Sequence, residues 1–148
     1  MKKGLLILTI ALMVIGAKAQ AAGVGYIDYT KVQENYAFAK AAVKEIDAQT
    51  LQLQEFMLAK ERQYKALDTP LKKQNFEDVT AKEFKVKEEA LMKLRAQKEE
   101  QVYTKIQAAA RQVLVEQKLD AIIDFRVIFV GGVDITDQVI KKLQTGSF

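Results

Sequence analysis

Between Thr30 and Lys118 the chain carries no glycine and a single proline, Pro70. Those two residue types are the strongest breakers of regular structure, and the Ala, Gln, Glu, Lys and Leu that dominate the stretch are strong helix formers. The segment therefore predicts long helices and leaves strands only to its flanks. Its outbound half has a 4-3-4-3 spacing through Val32, Tyr36, Ala39, Val43, Ile46, Thr50, Leu53, Met57, Lys60, Tyr64 and Leu67. Such a run predicts a coiled-coil seam rather than one face of a globular helix. The seam is soft, because Ala39, Thr50 and Lys60 stand where large aliphatic side chains are usual. Asp68-Thr69-Pro70 interrupts the pattern: Thr69 can cap a second helix, and Pro70 suits a first helical position, where no donor is needed. The return half runs from Leu71 to Lys118, with Phe84, Leu91, Leu94, Val102, Ile106, Ala109 and Val113 as its apolar positions. The step from Leu94 to Val102 makes this seam looser and partly eleven-residue in period. Thr80-Ala81-Lys82-Glu83 resembles a capping box, so the tip is expected within residues 68–80. Two antiparallel arms of this kind reach roughly 50–60 Å at 1.5 Å per residue.

The flanks read as β structure. Val24-Gly25-Tyr26-Ile27-Asp28, Leu119 to Asp124 and Val127 to Val130 are short strand candidates, the last two joined at Phe125-Arg126 and closed by Gly131-Gly132. Asp134-Ile135-Thr136-Asp137 opens a terminal helix, with Asp or Thr as its cap and Val139, Ile140 and Leu143 as its buried stripe. The fold class is α+β and mainly α: a body from residues 22–29 and 119–148, and a helical hairpin over 30–118. A body this small is marginal alone. Strands from several chains completing one shared barrel would remedy that, and Tyr26, Ile27, Ile122, Ile123 and Ile128 are the residues assigned to such an oligomer body.

Residues 1–21 read as a cleaved export signal. Lys2 and Lys3 form a positive start, Leu5 to Ala17 is apolar apart from Thr9 and Gly16, and Ala17, Ala19 and Ala21 offer small residues to a signal peptidase. The apolar run is shorter than the ~20 residues a membrane span needs. The mature chain is expected to start at Gln20 or Ala22, in the periplasm of a bacterium. Three of the positive charges, Lys2, Lys3 and Lys18, leave with the signal, so the formal +4 reflects targeting more than affinity for nucleic acid.

The chain has no Cys and no His. That excludes disulfides, Cys/His zinc sites, a lipid-modified N-terminal cysteine and histidine-based catalysis. Carboxylates on a long solvated helix form no catalytic pair, and Gly131-Gly132 lacks the Lys-Ser/Thr and βαβ setting of a phosphate loop. An enzyme is not expected. Charge placement is more informative: Lys60 to Lys98 holds 11 basic and 7 acidic residues, whereas the rest of the mature chain is net negative. Lys72, Lys73, Lys82 and Lys85 of that segment are candidates for attracting acidic partners. Leu51 and Leu58, seven apart and roughly 140–160° from the seam at 100° per residue, are candidates for an apolar hold.

Three segments resemble the Skp/OmpH family of periplasmic chaperones: Val24 to Asp28 before a Gln/Lys-rich helix start, Leu119-Asp120-Ala121-Ile122-Ile123-Asp124, and Asp134-Ile135-Thr136-Asp137-Gln138-Val139-Ile140-Lys141-Lys142-Leu143. The resemblance implies a homotrimer, with a composite β-barrel and three helical tentacles enclosing a cavity. It implies that the cavity holds unfolded outer-membrane proteins before their assembly, without ATP or any cofactor. The hairpin is somewhat shorter than in the best-known members. A lipopolysaccharide-binding cluster proposed for the family aligns near Glu83, Lys93 and Leu94, which do not reproduce it, so contact with lipopolysaccharide or membrane lipid is left open. The alternative reading is an exported coiled-coil protein with a structural or tethering role in the cell envelope and no chaperone activity.

Overall fold

The computed structural model describes residues 23–146 and Phe148. The expected export signal, residues 1–21, lies outside the described residues. Strand β1 (Gly23–Ile27) leads into a short helix α1 (Tyr29–Glu34), then a long helix α2 (Ala37–Lys65) and a longer one, α3 (Pro70–Glu116). Strand β2 (Leu119–Asp124), a 3₁₀ turn (Phe125–Val127), strand β3 (Val133–Asp134) and helix α4 (Thr136–Thr145) complete the chain. The protein is mainly helical, with one small sheet of order β2-β1-β3, parallel at both pairings.

The sheet joins both ends of the described chain, and Gly25 shows how closely it packs. A Cβ at Gly25 would stand 2.7 Å from Leu119 Cδ1, so no other residue fits there without movement of the leucine. Above the sheet, Val32 of α1, Ile106, Ala109 and Val113 of α3, Ile135, and Val139 and Leu143 of α4 form one buried cluster with Ile27 and Leu119.

Two sequence expectations fail in the body. Val127 to Val130 is not a strand. The Asp124 carboxylate accepts hydrogen bonds from the Arg126 backbone N–H and guanidinium at 2.8–2.9 Å, which tightens Phe125–Val127 into the 3₁₀ turn. The partner of β1 is instead Val133–Asp134, and Ile128 sits in the unpaired connection. The cap of α4 is neither Asp nor Thr: Ile135 holds that position, while the Asp134 carboxylate accepts from the Thr136 N–H and hydroxyl.

Two further differences lie in the arm. The outbound helix is broken at Asn35-Tyr36. The Asn35 side-chain amide donates to the Lys31 carbonyl at 2.8 Å, and buried Tyr36 takes an extended backbone before α2 begins. The seam also departs from 4-3-4-3. Val43 is 56 % exposed while Ala42 is only 6 % exposed, and Met57 is exposed while Phe56 is half-buried. Ala39 and Ala42 are small enough for α3 to approach closely near Val102, which leaves the bulkier Val43 on the rim. At position 56 the phenyl ring lies 5.2 Å from the ammonium of Lys60 and also of Lys87, and these contacts hold it inward.

The chain turns at Ala66–Thr69. The Thr69 hydroxyl accepts from the Lys72 N–H and Pro70 opens α3, so Thr80 lies inside that helix. Ion pairs from Glu45 to Lys98 and from Lys60 to Glu83 show that α2 and α3 run antiparallel along their length. At 1.5 Å per residue, α2 is about 44 Å long and α3 about 70 Å. The longer helix continues past the break to reach the body.

Candidate functional site

The arm carries apolar surface that the helix pair does not cover. Two packed helices bury one stripe each; whatever lies on the far side of the wheel stays in water. Leu51 and Leu58 lie there and are each 55 % exposed. Val43 and Met57 join them because the seam is displaced by one residue, and Leu71, Val79, Val86 and Met92 add exposed apolar surface on α3. Sequence reasoning missed these last four, although Val79 and Val86 repeat the seven-residue spacing of Leu51 and Leu58.

Among the described residues, two grooves lie along the contact between the helices. One of about 560 Å³, near the body, has Ala39, Ala42, Val43, Ile46 and Val102 among its lining residues. The other, about 380 Å³ and nearer the tip, lies among Met57, Lys60, Tyr64, Phe76, Thr80 and Phe84. Both walls are predominantly apolar.

The candidate lysines do not form one patch. Lys72 pairs with Asp68 at 2.8 Å, and this pair holds the Asp68 carboxyl below its ordinary value. Lys85 stands 3.8 Å from Glu89. The Lys73 ammonium lies 5.3 Å from the Tyr64 ring centre, and Lys82 is exposed. Lys72 and Lys85 thus share their charge with a carboxylate four residues away. Exposed pairs of this kind hold the side chain only loosely.

In the body, the five assigned residues divide. Ile27 is buried in the chain's own core, Ile122 packs against that core, Tyr26 and Ile128 are half-buried, and Ile123 is exposed. The larger apolar surface lies where the expected strand is missing: Phe125, Val127, Phe129 and Val130 are exposed, Phe129 completely. The apolar run was visible in the sequence, but its assignment to a strand hid its exposure. Among the described residues no group of His, Cys, Asp and Glu is placed to hold a metal ion, and no helix is long and apolar enough to cross a membrane.

A solved structure from Caulobacter crescentus CB15, described as OmpH-like and as a candidate outer membrane chaperone, is 17 % identical, with 84 % of this chain and 85 % of that one covered at a TM-score of 0.43. No curated protein matches. The family model for outer membrane protein (OmpH-like) matches residues 23–143, from the first residue of β1 into α4. The chain belongs to the OmpH-like family.

Proposed function

We propose that this protein is an ATP-independent holdase of the periplasm. It binds unfolded outer-membrane proteins, keeps them from aggregating and passes them on for membrane assembly. The observation that carries the reading is the row of large apolar side chains, Leu51 and Leu58 foremost, standing in water on an arm whose seam does not use them. Isolated exposed leucines need no explanation, but several along both helices of one arm supply many weak contacts. Weak contacts distributed over several arms retain a client firmly yet release it without fuel. The working form is a homotrimer in which the small sheets complete a shared barrel and the three helical hairpins enclose a cavity. Lys72, Lys73, Lys82 and Lys85 speed the approach of acidic clients, an effect that fades as salt shortens the Debye length from ~30 Å at 0.01 M to ~8 Å at 0.15 M.

The test is dilution of a urea-unfolded outer-membrane barrel into buffer with purified mature protein and no nucleotide. Light scattering should stay low at one trimer per client. Leu51→Ser with Leu58→Ser should speed client release several-fold while sedimentation still shows a trimer. Aggregation as fast as in buffer alone would remove the holdase reading and leave a structural or tethering role.

A further inference from the structure

Two half-buried lysines in the arm are placed as a pair. Lys60 of α2 reaches Glu83 of α3 at 2.5 Å, and Lys98 of α3 reaches Glu45 of α2 at 2.5 Å. The lysine side chains are only 20 % and 22 % exposed. Each helix thus contributes one seam lysine and one flanking glutamate. The residue numbers in the two pairs add to the same total, so both obey one antiparallel register. A slip of four residues either way brings Lys60 level with Val79 or Lys87, and Lys98 level with Ala41 or Gln49. Both pairs are then lost together.

The rest of the arm specifies its register poorly. Outward of the body core, which holds Val102 and Val113, the α3 seam residues Thr80, Phe84, Leu91 and Leu94 are only half-buried, so a slip of the outer arm loses little apolar burial. The turn is no stronger a guide. Helix α2 ends at Ala66 in a right-handed conformation with no glycine, and the Thr69 cap bond is long at 3.4 Å. The other capping sequence starts at Thr80, whose buried hydroxyl has no partner, whereas the seam hydroxyl of Thr50 donates to the Ile46 carbonyl at 2.9 Å. A single charged residue in a helical seam costs stability and specifies register, because displaced registers leave the charge unpaired among apolar groups.

We propose that Lys60–Glu83 and Lys98–Glu45 form a two-point register lock on the arm, and that the lock sets the spacing along the arm at which the exposed apolar side chains of α2 and α3 meet a client. In the locked register Leu51 is level with Met92, and Met57 with Val86, all four exposed. These two levels lie between the ion pairs, in the part of the arm the lock controls. The register claim stands by itself; the claim about clients rests on the holdase reading.

The chain has no cysteine, so Gln63→Cys with Ala90→Cys gives two unique, exposed labelling points, one on each helix. Their levels differ along the arm by about 15 Å, and a one-turn slip changes that offset by ~5.4 Å. Pulsed electron spin resonance on labelled chains diluted with unlabelled ones should give one narrow distance. Lys60→Glu with Lys98→Glu should shift or broaden it, and adding Glu83→Lys and Glu45→Lys should restore it. Lys60→Leu with Lys98→Leu guards against simple unfolding: it should raise thermal stability yet still broaden the distance. A narrow, unmoved distance in the folded leucine variant would overturn the lock. Release of a labelled, unfolded outer-membrane barrel should quicken several-fold in the double reversal and recover in the fourfold swap. Displaced register with unchanged release would overturn the link to clients while the lock stands.

Discussion

Thr136 engages its hydroxyl on two sides. It accepts from the Asp28 N–H at 3.0 Å and donates to the Asp134 carboxylate at 2.6 Å, so the end of β1 is tied to the start of α4 across most of the chain. Asp28 in turn caps α1 through the Lys31 N–H. Removing the hydroxyl while keeping the shape, Thr136→Val, strands a partly buried donor and loosens the Asx turn, and should cost about 1–3 kcal/mol by urea unfolding. The same network gives stability a pH dependence. Thr136 holds the Asp134 carboxyl below its ordinary range, chiefly by its side-chain hydrogen bond, and Arg126 holds that of Asp124 at about 2. A carboxyl depressed in the folded state stabilises fully above its unfolded value near 4 and loses that contribution as pH falls through the folded one. Stability should therefore drop between pH 4 and pH 2, and less steeply in Arg126→Met, as denaturant midpoints across that window would show. At this scale the Asp-Ile-Thr segment was legible as a helix start. What positions Thr136 was not, because the Asp28 N–H from which its hydroxyl accepts lies 108 positions away.

Each helix of the arm is continuous, but its packing is graded. Full burial in α3 is confined to Val102, Ile106, Ala109, Ala110 and Val113, where α1, α4 and the sheet help to cover it; further out it faces only α2. Opening the arm beyond Ala42 and Val102 exposes little apolar surface that is not already half in water. Amide exchange should accordingly be slow across 102–113 and faster by orders of magnitude across 45–98, in mass-resolved hydrogen exchange. Uniform protection along α3 would contradict this grading. The two long helices were legible because the absence of glycine from 30–118 and the position of Pro70 are local signals. Their seam was legible only in part. Choosing Ala42 over Val43 and Phe56 over Met57 depends on how closely α3 approaches and on the ammonium of Lys87, neither of which is written in the outbound half. The break at Asn35-Tyr36 escaped because both residues are acceptable in helices, and the contacts that favour the break are specific to this fold.

In the whole molecule, one helical pair stands on a sheet too small to cover its own apolar surroundings. The outer edge of β2 has no partner strand among the described residues, and beside the sheet Val127, Phe129 and Val130 lie in water. The small size of the body was legible in the sequence, whereas the exposure of this apolar segment was not, since Val127 to Val130 looks like a strand until Asp124 bends it away. This separates two kinds of body residue in the proposed trimer. Ile122 packs against the chain's own core, so Ile122→Asp should unfold the body and dissociate the trimer in one transition. Phe129 is fully exposed in the single chain, so Phe129→Asp removes nothing that the protomer uses. If the exposed segment is buried between chains, Phe129→Asp should sediment as a monomer at micromolar concentration while keeping its helical circular dichroism. The assembly would then be lost without the fold. A Phe129→Asp trimer as stable as wild type would place the shared surface elsewhere, on the free edge of β2. Joint loss of assembly and helicity would mean instead that the body cannot stand without its neighbours.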